Sequence, residues 1–200
     1  MRKLSLLALA VVAMVAASFS TASAVPLNGK KGVGYARAIG GTDGLTFNFA
    51  TGNLIIEGIL GVHSISPDDS DADKRTNNIR LGAGVHFQAL RADAAALTVG
   101  GRLNVGLGNH VAGAPTSVND DGDDLESVTQ IGIDIPVRVY WFPIKYFSMH
   151  METGIAYVSN PEKGSTLAAP GAAGAKGTDI IIGGNGGAGA FGNIGFTFWF

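Results

Sequence analysis

The fold turns on the stretch VTQIGIDIPVRVYW, Val128 to Trp141. Its odd positions, Thr129, Ile131, Ile133, Ile135, Val137, Val139 and Trp141, are almost all apolar. Its even positions carry Gln130, Gly132, Asp134, Pro136, Arg138 and Tyr140. A period of two is that of an extended strand whose faces meet different surroundings. Here one face wants oil, and the other holds an acid and a base within five positions of each other.

The same division recurs on both sides of this stretch. Alternating runs mark strands at Gly32–Ile39, Leu45–Ala50, Asn53–Ile65, Asn78–Leu90, Ala96–Leu107, Val128–Trp141, Tyr146–Val158 and Ile180–Phe200, eight in all. The last is expected to bulge or break near Gly183 to Gly187, where Gly recurs inside a strand pattern. Leu97, Val99, Leu103, Val105 and Leu107 oppose Thr98, Arg102 and Asn104; Ile79, Leu81, Ala83, Val85 and Phe87 oppose Arg80, His86 and Gln88. Leu54, Ile56, Leu60 and Val62 oppose Glu57 and His63, and Phe147, Met149, Met151, Ile155 and Tyr157 oppose Ser148, His150 and Glu152. Arg37 alone shares a side with apolar neighbours, Val33, Tyr35 and Ile39. It is assigned to the polar interior because an Arg facing lipid at mid-depth costs roughly 2–4 kcal/mol.

Connector lengths alternate as well. Short turns at Thr51-Gly52, Arg91–Ala95 and Phe142–Lys145 leave long polar loops at 66–77, 108–127 and 159–179 on the opposite side; the first connector on that side, Gly40 to Gly44, is about five residues. Short turns on one side, long loops on the other and an even strand count describe a closed, antiparallel, up-and-down transmembrane β-barrel. The rival is a soluble β-sandwich, whose strands also alternate. Two features disfavour it: the polar faces hold much Gly and little Lys or Glu, and Phe49, Phe87, Trp141, Phe147, Phe198 and Phe200 gather at the turn-side strand ends as the lower aromatic girdle of a membrane barrel.

The chain ends fit that expectation. Arg2 and Lys3 precede the apolar run Leu6 to Ala17, and Ala22-Ser23-Ala24 supplies a cleavage pattern. Residues 1–24 are therefore expected to be a signal peptide and 25–200 the mature barrel. Loss of Arg2 and Lys3 would leave 12 basic against 16 acidic residues, which disfavours nucleic acid as a partner. With no Cys, neither disulfides nor an N-terminal lipid anchor are available. Thirty Gly and a positive mean hydropathy without a long apolar run in the mature chain mean that apolar residues are distributed strand by strand.

The closing residues GNIGFTFWF place Phe196, Phe198 and Phe200 on one face. With the N-terminal leader, this terminal Phe resembles the C-terminal recognition signal of bacterial outer-membrane proteins. The mature chain resembles the small eight-stranded outer-membrane barrels, the OmpA-like transmembrane domain and OmpX-like families. That resemblance implies insertion by the barrel-insertion machinery into the outer membrane of a Gram-negative bacterium, with lipid and lipopolysaccharide around the wall. Nothing follows Phe200, so the peptidoglycan-binding domain of larger OmpA-like proteins has no counterpart, and a cell-wall tether is not implied.

The inward set is Arg37, Arg80, Arg102 and Arg138 with Glu57, Asp134 and Glu152, joined by His63, His86 and His150. An eight-stranded barrel is only wide enough for side chains to fill it, so these charges should pair. Inward Gly82, Gly84, Gly100, Gly106 and Gly132 leave room for a narrow pore as the alternative. Ser148, His150 and Glu152 are the parts of an activated nucleophile, and a lipid-modifying barrel enzyme is the further alternative. Same-face neighbours, however, lie about 6.8 Å apart along a strand, too far for a direct relay. The match of GNGGAG, Gly184 to Gly189, to a dinucleotide fingerprint is a false one, because an aromatic strand follows where a helix should. PDDSDAD (67–73) and NDDGDD (119–124) lack the full spacing of a Ca²⁺ loop and are expected to be solvated surface; 161–179 is low in complexity and expected to be mobile. The expected protein is structural or surface-interacting, without enzyme activity or cofactor, with any extracellular partner met through loops 66–77, 108–127 and 159–179.

Overall fold

In a computed structural model of the chain, described for residues 27–65, 76–109, 127–161, 165–167, 176–184 and 193–200, the alternating runs become nine strands of one sheet. They are β1 (Lys31–Arg37), β2 (Asp43–Thr51), β3 (Leu54–Ile65), β4 (Thr76–Arg91), β5 (Ala95–Gly108), β6 (Val128–Ile144), β7 (Phe147–Asn160), β8 (Gly177–Gly183) and β9 (Asn193–Trp199). Every pairing is antiparallel, each strand from β1 to β7 pairs with the next, and β9 joins β7 to β1, which closes the sheet into an eight-stave barrel. The expected leader, residues 1–24, lies outside the described residues, as do 67–73 and 119–124 and most of the three long loops. No helix among the described residues is long and apolar enough to cross a membrane, which leaves crossing by strands untouched.

The eighth stave is broken near where its glycines fall. β8 pairs with the outer half of β7, Gly183 opposite Gly154, and β9 takes up the inner half, Asn193 opposite Glu152. Gly183 sits at φ +98, a conformation that any Cβ would strain. Among the described residues β8 pairs with β7 alone, and β3 beyond Leu60 pairs with β4 alone. The wall is thus complete around its inner half and cut low over the short β1–β2 hairpin. Pro136, which has no N–H to offer, coincides with a gap in the β5–β6 ladder between the pairs Val99–Val137 and Arg102–Asp134.

The faces are inverted relative to a water-soluble sheet. Ile133 and Ile135 stand 56% and 55% exposed, while Asp134 between them is 0% exposed. Phe49, Phe87, Trp141, Phe198 and Phe200 are exposed toward the turn-side end and Phe147 is half-buried. Apolar surface on this scale far exceeds the few hundred Å² that a soluble monomer tolerates. A single sheet closed on itself, with its ions inside, excludes the sandwich.

Closure relies on a tight approach of the first and last strands. A Cβ on inward Gly34 would lie 1.8 Å from the Phe196 carbonyl oxygen, whereas one on outward Gly58 would meet nothing within 4 Å. Gly34→Val should therefore abolish the fast-migrating band of unboiled protein on detergent gels, and Gly58→Val should retain it.

Candidate functional site

The interior is layered. At the turn-side end Leu27, Ala50, Ile55, Ala96, Tyr140, Phe142 and Trp199 form an apolar floor, and Trp199 Nε1 donates to Ser148 Oγ at 2.9 Å. Strand register sets the ionic layer above it. Glu57 lies opposite Gly84, Gly84 opposite Arg102, and Arg102 opposite Asp134. Gly84 has no side chain, so the Arg102 stem lies over it and its guanidinium reaches Glu57; a Cβ at Gly84 would sit 3.1 Å from Arg102 Cβ.

Two guanidiniums are shared among three carboxylates. Arg102 donates to Glu57 Oε1 (3.0 Å), Asp134 Oδ2 (2.8 Å) and Glu152 Oε1 (2.6 Å). Arg138, which faces Glu152 across the β6–β7 ladder, donates to both Glu152 and Glu57, with Nη2 to Glu57 Oε1 at 2.8 Å, and also to the Tyr140 hydroxyl at 3.1 Å. His86 Nε2 stands 3.4 Å from Glu57 Oε1, and the His150 ring packs on Tyr140 at 5.1 Å between centroids. All seven of these sequence-predicted ionisable residues, Glu57, His86, Arg102, Asp134, Arg138, His150 and Glu152, are buried in one cluster.

Three predicted members lie elsewhere. Arg80 pairs with Asp43 nearer the outer end. His63 shares the inward phase but stands exposed at the outer end of β3. Arg37 is a correction. The alternation that buries Gly34 and Ala36 leaves Arg37 on the outward phase with Val33 and Tyr35, half-buried at the last residue of β1 and opposite Asp43 in the ladder.

A second correction concerns the inward glycines, which are seats rather than vacancies. A Cβ on Gly100 would lie 2.7 Å from His86 Nδ1, one on Gly195 2.4 Å from His150 Cε1, and one on Gly106 2.4 Å from Thr166 Oγ1. Each is occupied by a neighbour's side chain.

Two contributions from the outer side went unseen in the strand pattern. The turn of the β1–β2 hairpin, Ala38 to Thr42, folds into the barrel and is fully buried. Its amides add donors to two of the three carboxylates that share two arginines: Ile39 N donates to Glu152 Oε1 and Gly40 N to Asp134 Oδ2, both at 2.9 Å. Ile39 joins Ala156, Val158, Leu167 and Ile181 in an apolar layer above the ions. The second is Ser165–Leu167, part of the loop expected to be mobile. Gln130 Oε1 accepts from Ser165 Oγ, Thr166 N and Leu167 N at 2.8–2.9 Å, and Asn78 Nδ2 and Arg80 Nε donate to the Thr166 carbonyl. Gln130 and Asn78, buried polar residues in otherwise apolar-flanked strands, were the signal that something had to descend to meet them.

The Ser148, His150, Glu152 set makes no relay. The Ser148 hydroxyl receives the Trp199 indole, Glu152 is held by both arginines, and neither His150 nitrogen has a hydrogen-bond partner. No group of three or more His, Asp or Glu among the described residues is arranged to hold a metal ion.

A closed antiparallel barrel, greasy outside and ion-paired within, is the class that this geometry defines. No protein-family model matches the chain, and no curated protein is similar to it. Among solved structures it is similar to the crystal structure of a major outer membrane protein from Thermus thermophilus, at 16% identity and TM-score 0.39, over 86% of this chain and 99% of that one. The barrel assignment rests on the strand pairing and not on that likeness.

Removing one partner from a buried ion network strands the others. Arg138→Met should lower the urea-unfolding free energy of refolded protein in micelles by about 3–5 kcal/mol. Arg80→Met, whose pair with Asp43 is partly open to solvent, should cost less than Arg138→Met. Equal small losses for both would remove the central network from its structural role.

Proposed function

We propose that the protein is an integral outer-membrane β-barrel whose lumen is closed and whose role is structural or surface-interacting. The supporting observation is the Arg102–Arg138 network, in which two guanidiniums and three carboxylates are each 0–2% exposed and share 2.5–3.3 Å hydrogen bonds across the lumen. Hydrated ions crossing the barrel would have to break these bonds. The apolar floor below and the hairpin turn above favour the same reading, as does the exposed aromatic face of Phe196, Phe198 and Phe200 for membrane insertion. On this reading the outer loops carry any contact with an extracellular partner, and the wall meets lipid and lipopolysaccharide.

The narrow pore is the second reading, kept by buried polar atoms without protein partners, among them Asn104 Oδ1, Asp134 Oδ1 and both Asn193 polar atoms, which need internal water. Planar bilayers separate the two. Wild-type protein should give no step-like current, and deletion of Gly40 and Gly41, which leaves the Arg102–Arg138 network and the apolar floor in place, should give none either. Steps from the wild type would establish the pore instead. Ser148→Ala should leave a lipid A mass spectrum unchanged, in keeping with a non-enzymatic role.

A further inference from the structure

The turn-side rim is predominantly cationic. Lys30, Lys31, Arg91 and Lys145 lie there, and Asp93 is the one acidic side chain among the described residues of the turns on that side. The end of β9 draws two of these cationic segments together: Trp199 N donates to the Tyr146 carbonyl at 2.8 Å and Phe200 N to the Lys31 carbonyl at 2.9 Å. Residues 115 positions apart thereby become neighbours, with Lys30 Nζ donating to the Lys145 carbonyl at 3.4 Å.

Both ammonium groups then converge on one exposed ring. Lys30 Nζ is 4.9 Å and Lys145 Nζ 4.6 Å from the centroid of Tyr146. Like charges so placed repel, and among the described residues no carboxylate forms an ion pair with either. The Lys145 ammonium beside the Tyr146 phenol, with Lys30 close by, holds that phenol below its ordinary range. Above this patch the wall turns apolar, with Trp141 55% and Phe198 54% exposed.

A partner that suits both halves has an anionic phosphate at the rim and acyl chains along the wall. We infer that Lys30, Lys145 and Tyr146 form a headgroup seat for an anionic glycerophospholipid of the turn-side leaflet, with Trp141 and Phe198 beside its chains. The seat rests on the barrel being embedded in a membrane, as proposed above.

The two tryptophans make a direct test. Trp141 faces outward, whereas Trp199 is buried with its indole N–H on Ser148, so lipid-borne bromine reports on Trp141. In phosphatidylcholine vesicles, brominated phosphatidylglycerol should quench that fluorescence with an apparent preference of about fivefold over brominated phosphatidylcholine, the scale of one basic residue at an anionic surface. The preference should fall to near unity in K30Q/K145Q while that variant keeps its heat-dependent gel shift. It should also fall in about 1 M salt, where the Debye length is about 3 Å. Equal quenching by the two lipids in the wild type, or an undiminished preference in K30Q/K145Q, overturns the seat. Loss of the preference on adding inorganic phosphate at constant ionic strength would also overturn it, in favour of a free-anion site. A wild type with no heat shift and no insertion would sink the membrane barrel itself, and the seat with it.

Discussion

Two arginines have to be kept dry. Taking a guanidinium from water costs several kcal/mol, which only close and multiple hydrogen bonds to carboxylate return. The rest of the molecule can be read as the means of supplying them. Arg102 and Arg138 come from neighbouring strands, Glu57 and Glu152 from opposite sides of the cluster, and cross-strand register brings each within reach of its partners. Gly84 is the residue that allows Arg102 to cross an intervening strand. Three acids against two bases leave an excess, and backbone N–H groups at Ile39 and Gly40 meet it without adding a further ion.

The outside follows from the inside. Once the polar residues of every strand are committed to one another, the alternate positions have only apolar side chains to show, and a wall of Ile, Leu, Val and Phe requires a hydrocarbon surrounding. Closure removes the sheet edges over the inner half of the barrel. The aromatic residues at that end, together with the cationic rim beneath them, suit the boundary between grease and headgroups that the proposed membrane setting would supply. The fold therefore constrains what surrounds the chain more tightly than what the chain does to it.

Much of this was legible in the amino-acid order, because a two-residue period records which face a side chain takes. The eight staves, the inward set from Glu57 to Glu152, the outward Phe196, Phe198 and Phe200 and the break near Gly183 all follow from alternation and from Gly inside a strand. Alternation does not record what fills the space on either side. Inward Gly100 and Gly106 look like room in a sequence and prove to be places for the His86 ring and the Thr166 side chain. Arg37 was assigned by energy against its own parity, and parity prevailed because the strand ends there. Ser165–Leu167 lies in a segment of low complexity whose contact with Gln130 has no local signature.

The hairpin turn at Gly40 has a temporal meaning too. It belongs to the first two of the described strands in chain order, yet its amides bond to side chains 94 and 113 residues further along. Those acceptors exist in place only after β6 and β7 have joined the sheet. The earliest hairpin thus waits, unfastened at its tip, until nearly the whole circumference has assembled, and its docking and the completion of the cylinder become one event.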